Sequence, residues 1–161
     1  MKPGAHRYQA VIAAPYGRLG VCTAAGRLQA IDFLGADAAL LAPSDDFAQE
    51  VARQLQAYER DPCYRFRLAL DLQGTPFQQR VWSALRAIPP GRTRTYGDLA
   101  RELGSAPRAI GAACRANPVP VVVPCHRVVA RTGIGGFGGQ TEGPELARKR
   151  WLLAHEGAAE K

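Results

Sequence analysis

What the 161-residue sequence lacks narrows the field first. No apolar run approaches the roughly 20 residues that a membrane-spanning helix requires, which excludes an integral helical membrane protein. Residues 1–7 are polar and carry no apolar core of a secretory signal, so a cytoplasmic protein with no membrane contact is expected. The four cysteines, Cys22, Cys63, Cys114 and Cys125, show neither framework spacing nor a C-x-x-C pair. In a reducing compartment they are expected to be free thiols. The histidines show no metal-ligand spacing, so no metal is assigned. Lysine is scarce as well, supplying three of the 21 basic residues.

What is present is unevenly placed. Residues 1–74 carry 8 basic and 8 acidic side chains, whereas residues 75–161 carry 13 and 6. The net charge of +7 therefore lies wholly in the second half. A polyanionic partner, nucleic acid first, explains such an asymmetry, and an arginine-rich compositional bias is the alternative. Hydrophobic residues make up 47% of the chain, enough for a real core.

The first half reads as a β-meander with one helix. Apolar runs over 8–14, 18–23 and 28–34 are separated by the turn signals Pro15-Tyr16-Gly17 and Ala25-Gly26. Ser44 offers an N-cap, with Asp45 and Asp46 in the first turn, where the helix dipole favours them. Phe47, Val51, Leu55 and Tyr58 follow at helical spacing until Asp61-Pro62. Tyr64, Phe66, Leu68, Leu70 and Leu72 then alternate with Arg65, Arg67, Ala69 and Asp71, the pattern of a half-buried strand. Charge balance and periodicity both change at Gln73-Gly74. We therefore expect a β-rich structural domain over 1–74 and a mostly helical domain over 75–161, an α/β (α+β) class overall.

In the second half Thr75 caps a helix with Pro76 at its first position, and Phe77, Val81, Leu85 and Ile88 form its stripe beside Trp82. Thr95 caps a short helix that Gly104 stops, and a second short helix runs over Arg108–Ala116. Two short helices across a tight glycine turn fit a helix-turn-helix, or a plain helical hairpin. The second helix is built from Ala109, Gly111, Ala112, Ala113 and Ala116, with Arg108 and Arg115 as its long polar side chains. Small residues allow close approach but read few base edges, so close docking of weak sequence specificity is expected, on a minor groove or a distorted duplex. Pro118, Pro120 and Pro124 each remove a ladder donor, so Val119–Val129 is expected to be an extended, kinked buried strand or edge. The glycine loop around Phe137 lacks a phosphate-loop lysine, and its backbone suits close approach to a ligand. Pro144 opens a last helix with Leu146, Trp151, Leu152 and Leu153 on its apolar side. Arg148, Lys149 and Arg150 are expected on its solvent or phosphate side.

Cys125 and His126 interrupt the valine run, where buried polarity is costly unless satisfied. The thiolate is the nucleophile, so Cys125 needs a base. Adjacent strand residues face opposite ways, so His126 serves only if the backbone turns at Pro124 or a water relays the proton. Glu156 is the candidate that polarises the imidazole, a Cys–His–Glu arrangement. From the residues alone, Cys125 is a nucleophile or a buried structural thiol. A DNA-binding module without chemistry and a Cys–His hydrolase remain open alternatives. The hydrolase leaves the helix pair and the arginines unexplained.

Pro124-Cys125-His126-Arg127-Val128-Val129, preceded by Arg115-Ala116-Asn117-Pro118, resembles the active-site signature of the O6-alkylguanine-DNA alkyltransferases, the methylated-DNA–protein-cysteine methyltransferases. The resemblance runs on through residues 75–82, 95–100, 107–111 and 151–157, while the first half is similar only in length and element order. It implies a ribonuclease H-like first domain and a helix-turn-helix second domain. It implies direct repair by a monomer without cofactor. An alkyl group would pass irreversibly from O6-alkylguanine, or O4-alkylthymine, in double-stranded DNA to Cys125, once per molecule. His126 would deprotonate Cys125 through a water, Glu156 would orient His126, and Asn117 would brace the turn. Arg108 would fill the gap left by a flipped base. Tyr96 would crowd the phosphate and donate to guanine N3, with Thr95, Ala109, Gly111 and Arg115 also on DNA. The Cys125 and Val128 carbonyls would accept from the guanine amino group. Cys114, Pro120 and Phe137 would line the pocket, and the Gly138 N–H would contact O6. The sequence departs from the family pattern in a glycine loop about one residue shorter, with Phe137 for the usual Tyr and Gln140 for a frequent Gly.

Overall fold

The computed structural model describes residues 7–135 and 143–158. The chain divides into two compact units, Met1–Gln73 and Gly74–Lys161.

In the first unit β1 (Ala10–Ala14), β2 (Gly17–Ala24) and β3 (Arg27–Leu34) form an antiparallel sheet in that order. Ile12 pairs with Leu19, and Val21 with Ile31. Leu19, Val21 and Leu28 are fully buried, as are Val51, Leu55 and Tyr58 of α1 (Asp46–Arg60), which packs on β1 and β2. The cap of α1 is Asp45 and not Ser44. The Asp45 carboxylate accepts from the Ala48 N–H at 2.8 Å, while the Ser44 N–H is drawn to the Gln9 carbonyl.

The expected strand over 64–72 is not a strand. Its side chains do alternate in exposure, but the segment carries only an isolated bridge between Leu70 and Leu28. Its backbone is satisfied differently. The Gln54 side chain accepts from the Arg67 N–H at 2.9 Å and donates to the Arg67 carbonyl at 3.1 Å. A buried primary amide thus serves Arg67, while Leu28 of β3 donates to the Ala69 carbonyl and accepts from the Asp71 N–H.

The second unit opens on α2 (Pro76–Arg86), where Thr75 and Gln78 form a reciprocal capping box. Trp82 is buried and donates its indole N–H to the Ala113 carbonyl at 2.9 Å, which ties α2 to α4 (Pro107–Arg115). Between them β4 (Arg94–Thr95) leads into α3 (Tyr96–Leu103), capped by Thr95 with Asp98 in a second capping box. Gly104 ends α3 at φ 64°, a left-handed conformation that glycine adopts without a Cβ clash. The Ser105 N–H then returns to the Ala100 carbonyl, which completes the helix-turn-helix.

The valine run departs from the expected strand as well. From Val119 the chain turns twice. The Val123 N–H donates to the Val119 carbonyl at 2.9 Å, and Val121 sits at φ 76°, unusual for a β-branched residue. Pro124, at φ −83° and ψ 68°, centres an inverse γ-turn closed by the Cys125 N–H on the Val123 carbonyl at 2.8 Å. A 3-10 turn over Cys125–Arg127 follows, and only then β5 (Val128–Val129). The prolines favour these turns because none can donate to a ladder. β5 pairs in parallel with β4, Arg94 opposite Val128 and Thr95 opposite Val129. The start of α3 is thereby fixed beside the turn that carries Cys125. The last helix is α5 (Pro144–His155).

Candidate active site

The turn presents Cys125, His126 and Arg127 to different neighbours, and all three are buried. Asn117 braces the approach. Its Nδ2 donates to the Val123 carbonyl at 2.8 Å, and its Oδ1 accepts from the Val119 N–H at 3.0 Å. Glu156, the C-cap of α5, closes the site from the other side. Its Oε2 lies 2.8 Å from His126 Nε2 and accepts from an Arg127 Nη at 2.8 Å, while its Oε1 accepts from Arg127 Nε at 2.9 Å. The second Arg127 Nη donates to the Ile88 carbonyl at 2.6 Å, beyond the end of α2.

These contacts fix protonation. Burial works against a Glu156 carboxylate, but the bonds from His126 and Arg127 outweigh it and hold the carboxyl well below its usual range. An ionised carboxylate only accepts, so we assign the imidazole hydrogen to Nε2. Nδ1 then carries the lone pair. It is buried and has no hydrogen-bond partner among the described residues. Burial pushes His126 below its ordinary value, so the imidazole is a neutral base at physiological pH. Burial also pushes the Cys125 thiol up, while a bond from Asn117 and the nearby Lys149 cation pull it down. A thiol with that balance needs a base to ionise.

Lys149 corrects the reading of α5. It is fully buried, not on the solvent or phosphate side. Its Nζ donates to the Val128 carbonyl at 2.7 Å and lies 5.8 Å from the centroid of the Tyr96 ring. Burial lowers it to about 8. The folded state therefore binds fewer protons than the unfolded state between pH 8 and 10.5, and stability rises with pH across that window. Relative to Lys149→Met, the wild-type protein is expected to gain on the order of 1–3 kcal/mol from pH 8 to 10.5 in denaturant melts. A constant difference between the two proteins would refute this.

Tyr96, the first residue of α3, is half-buried above this centre. Its ring passes close to two glycines. A Cβ at Gly135, which sits at φ 74°, would come 3.1 Å from the ring, and one at Gly111 would come 4.0 Å from it. Burial pushes the Tyr96 phenol up to about 12, so its O–H remains a donor at neutral pH. Val128 and Pro120 are buried and Cys114 is partly exposed. Burial raises the Cys114 thiol to about 12. Arg108 stands apart from the cluster, whereas the Arg115 charge reaches Tyr96 and Cys114. Both arginines share the exposed face of α4 with Ala112, while Ala109 and Gly111 are half-buried. The Thr95 hydroxyl is engaged as the α3 cap, accepting from the Asp98 N–H at 2.9 Å. Phe137 and Gly138 lie outside the described residues.

Three residues of this centre escaped sequence reasoning. Arg127 was marked by its place in the valine run, since a cation among valines needs a buried partner. Lys149 was marked by spacing, because Leu146, Lys149 and Leu152 recur every three residues along one face of α5. Gly135 carried no such mark, since its neighbour Tyr96 lies far off in sequence.

The fold and this centre define a helix-turn-helix unit built around a buried cysteine on a tight turn. Residues 76–158 match the family described as 6-O-methylguanine DNA methyltransferase, DNA binding domain. The methylated-DNA–protein-cysteine methyltransferase of Methanosarcina acetivorans is 35% identical over 158 residues, covering 94% of this chain and 99% of that protein. The one from Salmonella typhimurium is 55% identical over 87 residues, covering 52% of this chain and 48% of that protein, so the chain spans about half the length of that relative. The Mycobacterium tuberculosis O6-methylguanine methyltransferase structure superposes with a TM-score of 0.77 at 35% identity, over 91% of this chain and 90% of that one. The chain belongs to the O6-methylguanine-DNA methyltransferase family.

Proposed function

We propose that this protein repairs DNA by moving an alkyl group from guanine O6 to the sulfur of Cys125 in one irreversible step. One observation carries this reading above all. Cys125 is held on a buried turn next to a neutral histidine whose Nδ1 has no partner among the described residues and whose Nε2 is bound to an ionised carboxylate. That is the equipment for ionising one thiol, shielded from solvent. A relative from Mycobacterium tuberculosis has been crystallised in complex with DNA, and it superposes with a TM-score of 0.75 at 35% identity.

In the proposed reaction His126 Nδ1 takes the Cys125 proton through a water. The sulfur lone pair forms an S–C bond as the C–O6 bond breaks. The released electron pair returns to the purine, with the Tyr96 O–H as proton donor at N3. Asn117 keeps the turn in place. The target must leave the base stack to reach a buried thiol, so base flipping is part of the proposal. Arg108, at the exposed start of α4, is the wedge. Ala109, Gly111, Arg115 and Thr95 lie along the minor-groove contact. Cys114 and Pro120 belong to the pocket wall. The Val128 carbonyl already accepts from Lys149, yet a carbonyl has a second lone pair for the guanine amino group. O4-alkylthymine is a second substrate by the same chemistry. Residues 1–74 serve as a structural domain and 75–161 as the DNA-binding and acceptor domain. We read the protein as a cytoplasmic monomer.

Incubation with duplex DNA containing O6-methylguanine, followed by peptide mass spectrometry, tests the proposal. The expected result is one methyl group per protein, on the peptide carrying Cys125. Lesion binding without an adduct would instead support a module without chemistry, and repeated turnover on small esters would support a hydrolase.

A further inference from the structure

Arg127 is a charged group of this centre that the proposed reaction leaves unused. Its side chain is 8% exposed and three of its nitrogens are bonded, two to Glu156 and one to the Ile88 carbonyl. Glu156 Oε2 is shared, taking Arg127 at 2.8 Å and His126 at 2.8 Å. A buried carboxylate bonded to an imidazole alone favours the imidazolium, because an opposite charge at hydrogen-bond distance stabilises the charged form. An imidazolium has a hydrogen on both nitrogens and cannot accept a proton at Nδ1. The arrangement of these three side chains therefore poses a problem that Arg127 answers.

We propose that Arg127 is a positioning residue that shares the Glu156 carboxylate, so that His126 is oriented by an anion without being protonated by it. The bidentate fork fixes the carboxylate plane, and the Ile88 contact anchors the guanidinium. The charged groups facing His126 are Glu156 and Lys149 from α5 and Arg127 from its own turn; the end of α2 contributes the Ile88 carbonyl to Arg127. Burial and both cations act against protonation of His126, and the Glu156 bond acts for it. Removing Arg127 tips that balance toward the imidazolium. This proposal rests on His126 serving as the base for Cys125.

The test has two independent readouts. In the substrate-free protein, 15N NMR of His126 follows its tautomer and titration midpoint, whatever the protein repairs. In single-turnover reactions, transfer from O6-benzylguanine is measured against pH. Arg127→Met is expected to raise the His126 midpoint by about 1–3 units. It is also expected to move the acidic limb of the rate profile up by the same amount, so that the rate falls at neutral pH and recovers at higher pH. A rate lowered equally at every pH, with an unmoved midpoint, would overturn the proposal and leave Arg127 a structural residue. If Arg127→Met does not fold, Arg127→Gln decides, since it removes the charge and keeps a donor for Glu156. A raised His126 midpoint with a matching shift of the acidic limb supports the proposal, and an unmoved midpoint overturns it. If the wild-type protein transfers no alkyl group at all, the proposed function fails while the NMR titration still judges Arg127.

Discussion

Glu156→Ala is expected to cost about 3–5 kcal/mol of folding stability, because it strips a buried cation of its counter-charge. The Glu156 and His126 side chains are fully buried, and Arg127 nearly so. Both carboxylate oxygens are occupied, so truncation leaves Arg127 Nε, one Arg127 Nη and His126 Nε2 without an acceptor at once. Water does not readily replace it in a core of this density. The pH dependence follows from the direction of the shift. Glu156 is held below its ordinary 4.5, so its contribution is complete above that pH and is lost as the pH falls below it toward the folded value. Chemical denaturation over pH 3–7 measures both effects. The wild-type curve is expected to fall steeply on the acidic side and the variant curve to be flatter and lower. A difference below about 1 kcal/mol at neutral pH would contradict the buried ion-pair account.

Arg108→Ala is expected to separate DNA handling from chemistry. Arg108 lies on the exposed face of α4, after Pro107 and an Ala106 N-cap that makes no side-chain bond. Among the described residues it makes no hydrogen bond or ion pair to the acceptor turn. A wedge that offsets about 1.4–2.8 kcal/mol of unstacking is worth about 10–100-fold in rate. Repair of O6-methylguanine in a duplex is therefore expected to slow by about that factor. Transfer from free O6-benzylguanine, which needs no flipping, is expected to stay within about twofold. Single-turnover rates on the two substrates give the ratio directly. Equal losses on both would remove the wedge role.

How much of this was legible from the residues depends on whether the deciding contact was local. Thr75, Thr95 and Gly104 delimit helices through bonds within a few residues, so α2, α3 and their ends could be read directly. The segment over 64–72 shows the opposite case. Its alternation marks which side chains face inward, but periodicity does not say what satisfies the backbone, which bonds the Gln54 amide at Arg67 and Leu28 at Ala69 and Asp71. The turn at Cys125 lies between these cases. Prolines at 118, 120 and 124 argue against a regular strand, yet an inverse γ-turn and a left-handed valine follow from the fit of the whole loop, with Asn117 bonded at both ends. For Lys149, neighbouring arginines suggested solvent, whereas its spacing against Leu146 and Leu152 marked the core. Charge outweighed register in that reading, and register decides burial on a helix.

The parallel pairing of Arg94–Thr95 with Val128–Val129 spans only two residues on each side. It works as a ruler between the start of α3 and the turn that carries Cys125. Because strand register changes in steps of one residue, an insertion before Arg94 has two outcomes. It either bulges out over the loop and leaves Tyr96 in place, or it slips the pair and turns Tyr96 away from the sulfur. The four paired positions thus set the distance between Tyr96 and Cys125, whatever the length of the connection that leads to them.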